Sequence, residues 1–261
     1  IDLDGDDDLF VATIFYPNTG GYTLENYGKV PGELWVNDGN GNFSLDDGTL
    51  IPDMPTFEHP RKIVTADLNG DLVPDIVIAD HGFDADPFPG GWLVSMLSNI
   101  DGSHTTRYIN EGFHHGISTG DFDNDGDLDL IVNNVDDAAV IFKNQLNPSK
   151  NWIQIDLTKS EQNGAVCYVY EKGEVQMQRL ERVRGYASSV SSVLHFGLQN
   201  AEAADSVLVQ LLNGELYAFD QLEAGQKHQL DFSSARKTSP KTQDLEQIFT
   251  EKAIRDILPY K

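Results

Sequence analysis

A nine-residue aspartate pattern occurs three times in this chain, and each copy runs directly into an apolar, β-branched segment. The copies are IDLDGDDD at residues 1–8 (motif 1), DLNGDLVPD at 67–75 (motif 2) and DFDNDGDLD at 121–129 (motif 3). Aligning Gly5 with Gly126 places the first position of motif 1 just before residue 1, so we expect the chain to begin inside a motif. A short acidic loop repeated ahead of strand-like segments predicts a repeat-built β protein.

The alternate spacing of aspartates in the motifs matches the way in which a hard cation is bound. Calcium takes six to eight oxygen ligands, which a short loop can supply from side chains at positions 1, 3, 5 and 9 and the backbone carbonyl of position 7. We predict about three calcium sites, the first incomplete. The predicted metal ligands are Asp2, Asp4, Asp6 and Asp8 in motif 1, Asp67, Asn69, Asp71, Val73 and Asp75 in motif 2, and Asp121, Asp123, Asp125, Asp127 and Asp129 in motif 3. Asp6, Val73 and Asp127 would contribute their carbonyls.

An EF-hand and a metal-free acidic turn are the two alternatives to a calcium loop of this kind. An EF-hand begins with the same spacing, but it requires a glutamate at position 12 followed by a helix, and that position is held by Val11, Ile78 and Val132. Acidic turns without metal are the plainer alternative, since Asp, Asn and Gly favour turns for local reasons. Three copies in one frame favour the metal loop. Motif 2 is the weakest match, because Leu72 stands where the other copies have glycine.

The net charge of the chain limits the kinds of molecule that it can bind. A formal net charge of −24 argues against binding nucleic acid or anionic membranes, both of which require Lys and Arg. No apolar run long enough to cross a membrane is present, so we expect no membrane insertion in this segment. Cys167, the lone cysteine, lies in an apolar stretch and is predicted to be a small buried hydrophobe. Calcium loops of modest affinity fill where calcium is millimolar, which favours an extracellular or cell-surface location.

The chain divides into three parts in this interpretation. Residues 1–147 are predicted to be part of a calcium-binding β-propeller, because three four-stranded units cannot close a ring. After a boundary at Asn147-Pro148-Ser149-Lys150, residues 148–235 alternate as an antiparallel β-sandwich. Residues 236–261 are expected to be a polar linker and the start of a further repeat region, with a short helix at 244–257. The predicted fold class is all-β.

These segments resemble two known modules. DFDNDGDLDLIVNN, with LWVNDGNGNF as its hairpin, is similar to FG-GAP/VCBS repeats, the calcium-binding blades of integrin-α-type propellers. NWIQIDL, VRGYASSVSSVLHFGL and DSVLVQLLNGELYAF resemble the ASPIC/UnbV domain that follows such repeats in cartilage acidic protein 1 and many secreted bacterial proteins. Leu211-Leu212-Asn213-Gly214 departs from the usual Trp-Pro-Ser-Gly turn. The resemblance implies the motif aspartates as metal ligands, no catalytic residues and a role in adhesion or surface recognition.

Three further features were considered as sites. The loop from His81 to Trp92 is rich in Gly, Pro and aromatics, and it is predicted either to bind a sugar or to fill the gap between blades. His114 and His115 lack a third ligand at metal spacing and should point to opposite strand faces. His195 lies in an alternating strand and is predicted to be structural. HExxH and phosphate-loop motifs are absent from the sequence, and the GxSxG spacing occurs at 116–120, directly ahead of motif 3 and not ahead of a helix.

Three functions remain open at this stage. The first is a non-enzymatic recognition or scaffold protein that binds a protein or glycan through its propeller loops. The second is a calcium-dependent polysaccharide-degrading enzyme, for which the candidate bases near the motifs are Arg61, Lys62, Arg107, His114 and His115. The third is a structural spacer without a ligand of its own.

Overall fold

The computed structural model describes residues 6–14, 23, 28–83, 90–99, 102–145, 151–159, 162–183 and 189–238. Within these ranges all regular elements are strands, which confirms the all-β prediction. Three antiparallel sheets follow the motifs. They are formed by β1 (Leu9–Val11), β3 (Glu33–Asn37) and β4 (Phe43–Leu45); by β6 (Pro60–Ala66), β7 (Asp75–Asp80), β8 (Gly91–Ser98) and β9 (His104–Gly112); and by β10 (His114–Gly120), β11 (Asp129–Asn134) and β12 (Val140–Phe142). A small pair joins β2 (Val30–Pro31) to β5 (Thr56–Phe57).

The central strand β7 of the four-stranded sheet is buried on both of its faces. Every residue of β7 is buried, and its side chains alternate between two separate cores. Ile76 and Ile78 pack toward the first sheet in a cluster with Leu34. Val77 and Ala79 pack on the opposite face in a cluster whose other members include residues of β10 and β11. The sheets therefore stack face to face, which explains why the strand after motif 2 is an unbroken apolar run.

A second unit follows from residue 151 and contains two sheets. One has the order β16-β13-β19 and consists of β16 (Val193–Gln199), β13 (Asn151–Asp156) and β19 (Gln226–Gln229). The other has the order β15-β14-β17-β18-β20 and consists of β15 (Glu174–Arg179), β14 (Val166–Glu171), β17 (Ala203–Gln210), β18 (Leu216–Glu223) and β20 (Arg236–Thr238). The alternating segments of residues 151–235 form strands, as predicted.

The core of this second unit lies between its two sheets. Ile153, Ile155 and Phe196 of the smaller sheet meet Val169 and Val207 of the larger sheet in one buried cluster. Cys167 belongs to the same cluster and is fully buried, as predicted, and burial raises the pKa of its thiol. The arrangement is sandwich-like, and it includes one parallel pair, β13 with β19.

Two features differ from the sequence-based expectation or lie beyond it. The predicted linker from residue 236 begins instead with a strand, because Arg236–Thr238 pairs with Leu216–Ala218 at the edge of the larger sheet. The predicted helix at 244–257 lies outside the described residues. No helix in the described part of the chain has the length and apolarity needed to cross a membrane.

Candidate metal centre

The motifs occupy equivalent places in the three sheets. Motif 2 connects β6 to β7, and motif 3 connects β10 to β11. The described end of motif 1 leads into β1, while Asp2 and Asp4 lie outside the described residues. Motifs 2 and 3 thus end where a central strand begins, whereas motif 1 ends at β1, an edge strand of its sheet in the described part of the chain.

The last aspartate of each motif binds the backbone of a neighbouring strand or of the segment that follows one. In all three copies its Oδ1 accepts a hydrogen bond from one main-chain amide. The pairs are Asp8 with the amide of Asn37 at 3.0 Å, Asp75 with Ser98 at 2.8 Å, and Asp129 with Asn144 at 2.7 Å. Position 9 therefore ties the motif to the neighbouring strand by the same contact in each repeat.

The second oxygen of this aspartate closes the motif on itself in two copies. Oδ2 of Asp75 accepts a hydrogen bond from the amide of Leu68 at 2.7 Å, and Oδ2 of Asp129 accepts one from Phe122 at 3.1 Å. Both carboxylates are buried. Position 9, predicted as a metal ligand, therefore also stabilises the loop.

Motif 3 brings three predicted ligands together. One candidate ligand atom from each of Asp121, Asp123 and Asp125 lies within 4.8 Å of the others. Oδ1 of Asp121 is buried and accepts no hydrogen bond. A buried carboxylate oxygen without a donor is costly, and hard carboxylate oxygens suit calcium. The residues present therefore fit the predicted ion.

A lysine lies against the carboxylates of motif 3. The ammonium of Lys143, in the segment after β12, pairs with Asp123 and lies 3.2 Å from Oδ2 of Asp125. Burial alone would raise the pKa of Asp125, but hydrogen bonds from Asp127 and Lys143 outweigh it and hold that pKa below its ordinary value. The loop thus already attracts a positive charge, and a metal ion would compete with this lysine.

Motif 2 has the same connection but a different interior. Oδ1 of Asp67 accepts hydrogen bonds from the amides of Gly70 and Asp71, and Oδ2 accepts one from Leu72. Asn69 donates to the carbonyl of Ser98 at 2.8 Å. The acidic side chains of this motif do not form a cluster like that of motif 3.

Burial shifts the acidity of motif 2. It raises the pKa of Asp67 to about 6, against hydrogen bonds from the loop amides that lower it. It also raises the pKa of Asp75 to about 7, with the charges of Asp67 and Asp71 adding to the effect. Carboxyl groups whose ionised form is disfavoured in this way gain from a nearby cation.

Position 6 of both motifs has a left-handed backbone. Gly126 has φ 96°, and Leu72 has φ 84°. Glycine adopts this region freely, whereas leucine does so at a cost of about 1–2 kcal/mol. Leu72 is nevertheless buried, at 7% exposure. The mismatch noted in the sequence therefore leaves the shape of the turn unchanged.

The outer face of the small sheet of the second unit covers motifs 2 and 3. Ile153 and Ile155 of β13 point into the sandwich core, so the intervening Gln154 points outward, where its Nε2 donates to Oδ2 of Asp121 at 3.4 Å. Gln199, at the end of β16, donates to the carbonyl of Asp71 at 3.2 Å. Neither glutamine was predicted from the sequence, although the place of Gln154 between Ile153 and Ile155 marks the outward face of β13.

Gly126 and Gly197 allow the second unit to approach the motifs closely, because neither carries a side chain. A methyl group on Gly126 would overlap the indole nitrogen of Trp152. A methyl group on Gly197 would overlap Oδ2 of Asp67 and lie 3.1 Å from the Cα of Gly70. The backbone and the indole of the second unit therefore rest directly on the motifs.

The predicted histidine features prove to be structural. His114 is buried and bonded at both ring nitrogens, to the Asn134 side chain at 2.8 Å and the Asn110 carbonyl at 3.0 Å, while His115 is exposed. His195 is buried and stacks on Trp152 with a centroid distance of 5.8 Å, and burial lowers its pKa to about 4. The pair at 114 and 115 points to opposite faces, as predicted.

The aromatic loop is described in part. Residues 84–89 lie outside the described ranges. Trp92 packs edge-on against Tyr108 with ring centroids 5.9 Å apart and joins the core between the first two sheets. For Trp92, the structure favours blade packing over sugar stacking.

The bases considered for lyase chemistry do not converge. Arg61 and Lys62 lie on β6 and Arg107 lies on β9, the two outer strands of one sheet, with β7 and β8 between them. Three strand spacings separate such positions by about 14 Å. Both ring nitrogens of His114 are bonded, so this residue offers no free base.

Acidic loops repeated between the strands of stacked sheets, joined to a sandwich-like unit, define a class of repeat-built β protein. Comparison with family models makes the class specific. An FG-GAP-like repeat matches residues 1–78, and the ASPIC and UnbV domain matches residues 158–237. The chain therefore contains an FG-GAP-like repeat and an ASPIC/UnbV domain, which confirms the resemblance noted in its sequence. No curated protein matches the chain.

Proposed function

We propose that this chain is a calcium-stabilised recognition or scaffold protein without catalytic activity, located outside the cell or on its surface. The observation that carries the proposal is motif 3, where three carboxylates converge and one buried oxygen accepts no hydrogen bond. Asp121, Asp123 and Asp125 would hold the ion there. Bound calcium would neutralise part of the strong negative charge of the chain and fix the loop between β10 and β11.

The family supports the non-catalytic part of the proposal. FG-GAP repeats and ASPIC/UnbV domains are generally without catalytic activity, and Arg61 and Lys62 lie on the opposite outer strand of their sheet from Arg107. Rigid loops at the ends of stacked sheets are suited to binding. The ligand would be a protein or glycan that contacts the loops of the repeat region.

Calcium titration calorimetry tests the proposal. Wild type should bind calcium, and Asp125→Ala should lose the site in motif 3, because position 5 supplies one of the three clustered carboxylates. Asp53→Ala, which removes an exposed carboxylate outside the motifs, is the matched control and should bind as wild type does. Absence of calcium binding by the wild type at millimolar concentration would refute the proposal.

A further inference from the structure

The ASPIC/UnbV domain contacts motif 2 and motif 3 directly. Its outward side chains and backbone reach both complete motifs: Gln199 and Gly197 lie on motif 2, and Gln154 and Trp152 lie on motif 3. All four residues lie on the two paired strands β13 and β16. One face of one sheet therefore spans two predicted calcium loops that are 54 residues apart in the sequence.

This contact accounts for the burial of motif 2. Asp67 is 6% exposed and Asp71 is 9% exposed, and Gly197 lies so close that a methyl group would have no room beside Oδ2 of Asp67. The corresponding carboxylates of motif 3 are more open, since Asp121 is half-buried and Asp125 is exposed. Carboxylates shielded from water depend more strongly on a cation than exposed ones do.

We propose that the ASPIC/UnbV domain is docked on the calcium loops and that calcium binding and the stability of this domain are coupled through the contact made by β13 and β16. Calcium in the loops would fix the surface on which the domain rests, and the docked domain would keep the loops in the shape that binds calcium. Such coupling is reciprocal by thermodynamic necessity. The inference rests on the proposed function, because it requires that the loops bind calcium.

Cys167 provides a reporter that belongs to the second domain alone. It is the one cysteine of the chain, and it is buried in the core between the two sheets of the domain. A thiol reagent can label it only when that core opens, so the labelling rate under native conditions measures the opening equilibrium of the domain. The carboxylates of the motifs lie outside this core.

The experiment measures Cys167 labelling in EDTA and in saturating calcium, with calcium binding followed in parallel by calorimetry. Wild type should label at least about 5-fold more slowly with calcium, the lower end of ordinary coupling between sites. Gly197→Ala should remove most of this protection and weaken calcium binding by a similar factor. Gly116→Ala is the matched control, since this strand glycine has room for a methyl group, with its nearest neighbour at 3.8 Å.

A second variant keeps the test decisive if Gly197→Ala opens the domain even in EDTA. Terbium takes calcium sites and emits when a nearby tryptophan is excited, and Trp152 lies against motif 3. Trp152→Phe should therefore lose most of the emission that Asp125→Ala also removes. Unchanged emission in Trp152→Phe would overturn the inference.

The remaining outcomes separate the two proposals. If wild type binds calcium but Cys167 labelling does not change, the coupling is refuted and the proposed function stands. If calcium slows labelling equally in wild type and Gly197→Ala, the contact on β16 does not carry the coupling and the inference is overturned. If wild type binds no calcium, the proposed function fails first and this inference fails with it.

Discussion

Replacing Asp129 by alanine should destabilise the protein even when no metal is present. The carboxylate is 1% exposed and accepts two main-chain hydrogen bonds, from Asn144 at 2.7 Å and Phe122 at 3.1 Å. A hydrogen bond to a charged group contributes about 1.5–3 kcal/mol, and an amide left without an acceptor keeps the full cost of its desolvation. Because water can reach these partly buried amides, we expect a total loss of about 3 kcal/mol.

Thermal unfolding in EDTA measures this loss. For a chain of this size, 1 kcal/mol corresponds to about 2–4 °C, so the melting temperature of Asp129→Ala should fall by about 6–12 °C. Asp129→Asn keeps one carbonyl oxygen and should lose about half as much. Asp125→Ala is the matched control from the same motif, since its exposed side chain should change stability by no more than about 0.5 kcal/mol in EDTA.

Calcium makes Asp125→Ala destabilising as well. With calcium present, Asp125→Ala should lose the stabilisation that the ion gives to wild type, because it removes a ligand of motif 3. A loss below about 1 kcal/mol for Asp129→Ala in EDTA would refute the reasoning, since it would mean that position 9 acts only through the metal.

Three shorter predictions follow from other contacts. Burial and the charges of Asp80 and Glu111 raise the pKa of Glu58 to about 7 from an ordinary 4.5, and the ammonium of Lys29, 3.1 Å from Oε1 of Glu58, offsets part of this effect. Stability is therefore lost as pH rises between these values. Urea unfolding should show Glu58→Gln gaining about 1–2 kcal/mol on wild type between pH 5 and pH 8, whereas a constant difference would contradict this. Lys143→Gln should raise the calcium affinity of motif 3 several-fold in calorimetry, because a competing ammonium is removed; unchanged affinity would show that the lysine does not compete. Gly126→Ala should cost about 2–3 kcal/mol in thermal unfolding, since it combines a strained φ with overlap of the indole, and stability like that of wild type would show that this glycine is not required.

Much of the fold could be predicted because its signals are local. The alternation in β13, β14 and β17 and the apolar runs after the motifs predict strands from neighbouring residues alone. The missed strand β20 has the sequence Arg-Lys-Thr, which carries no apolar alternation, and it forms because the edge of β18 supplies partners for its backbone. Pairing with a strand that is distant in the sequence cannot be predicted from a short polar segment.

The contacts of the candidate site are also of two kinds, local ones that the sequence predicts and distant ones that it does not. The clustering of Asp121, Asp123 and Asp125 follows from spacing within one loop, so the sequence predicts it. The amide partner of each position-9 aspartate lies 15 to 29 residues away, and the glutamines of the second domain lie 33 and 128 residues from their acceptors. These contacts depend on how sheets stack, and no motif specifies that.

Position 9 has a consequence for how such repeats can change over time. Its carboxylate holds each loop to its own sheet, whereas the residues at positions 1, 3 and 5 provide the cluster for an ion. Substitutions that remove the metal therefore need not remove the fold. Motif 2, in which Leu72 stands where motif 3 has Gly126, keeps the same left-handed backbone at that position although its sequence departs from the pattern. A lineage of such proteins can shed ions one repeat at a time and keep its architecture.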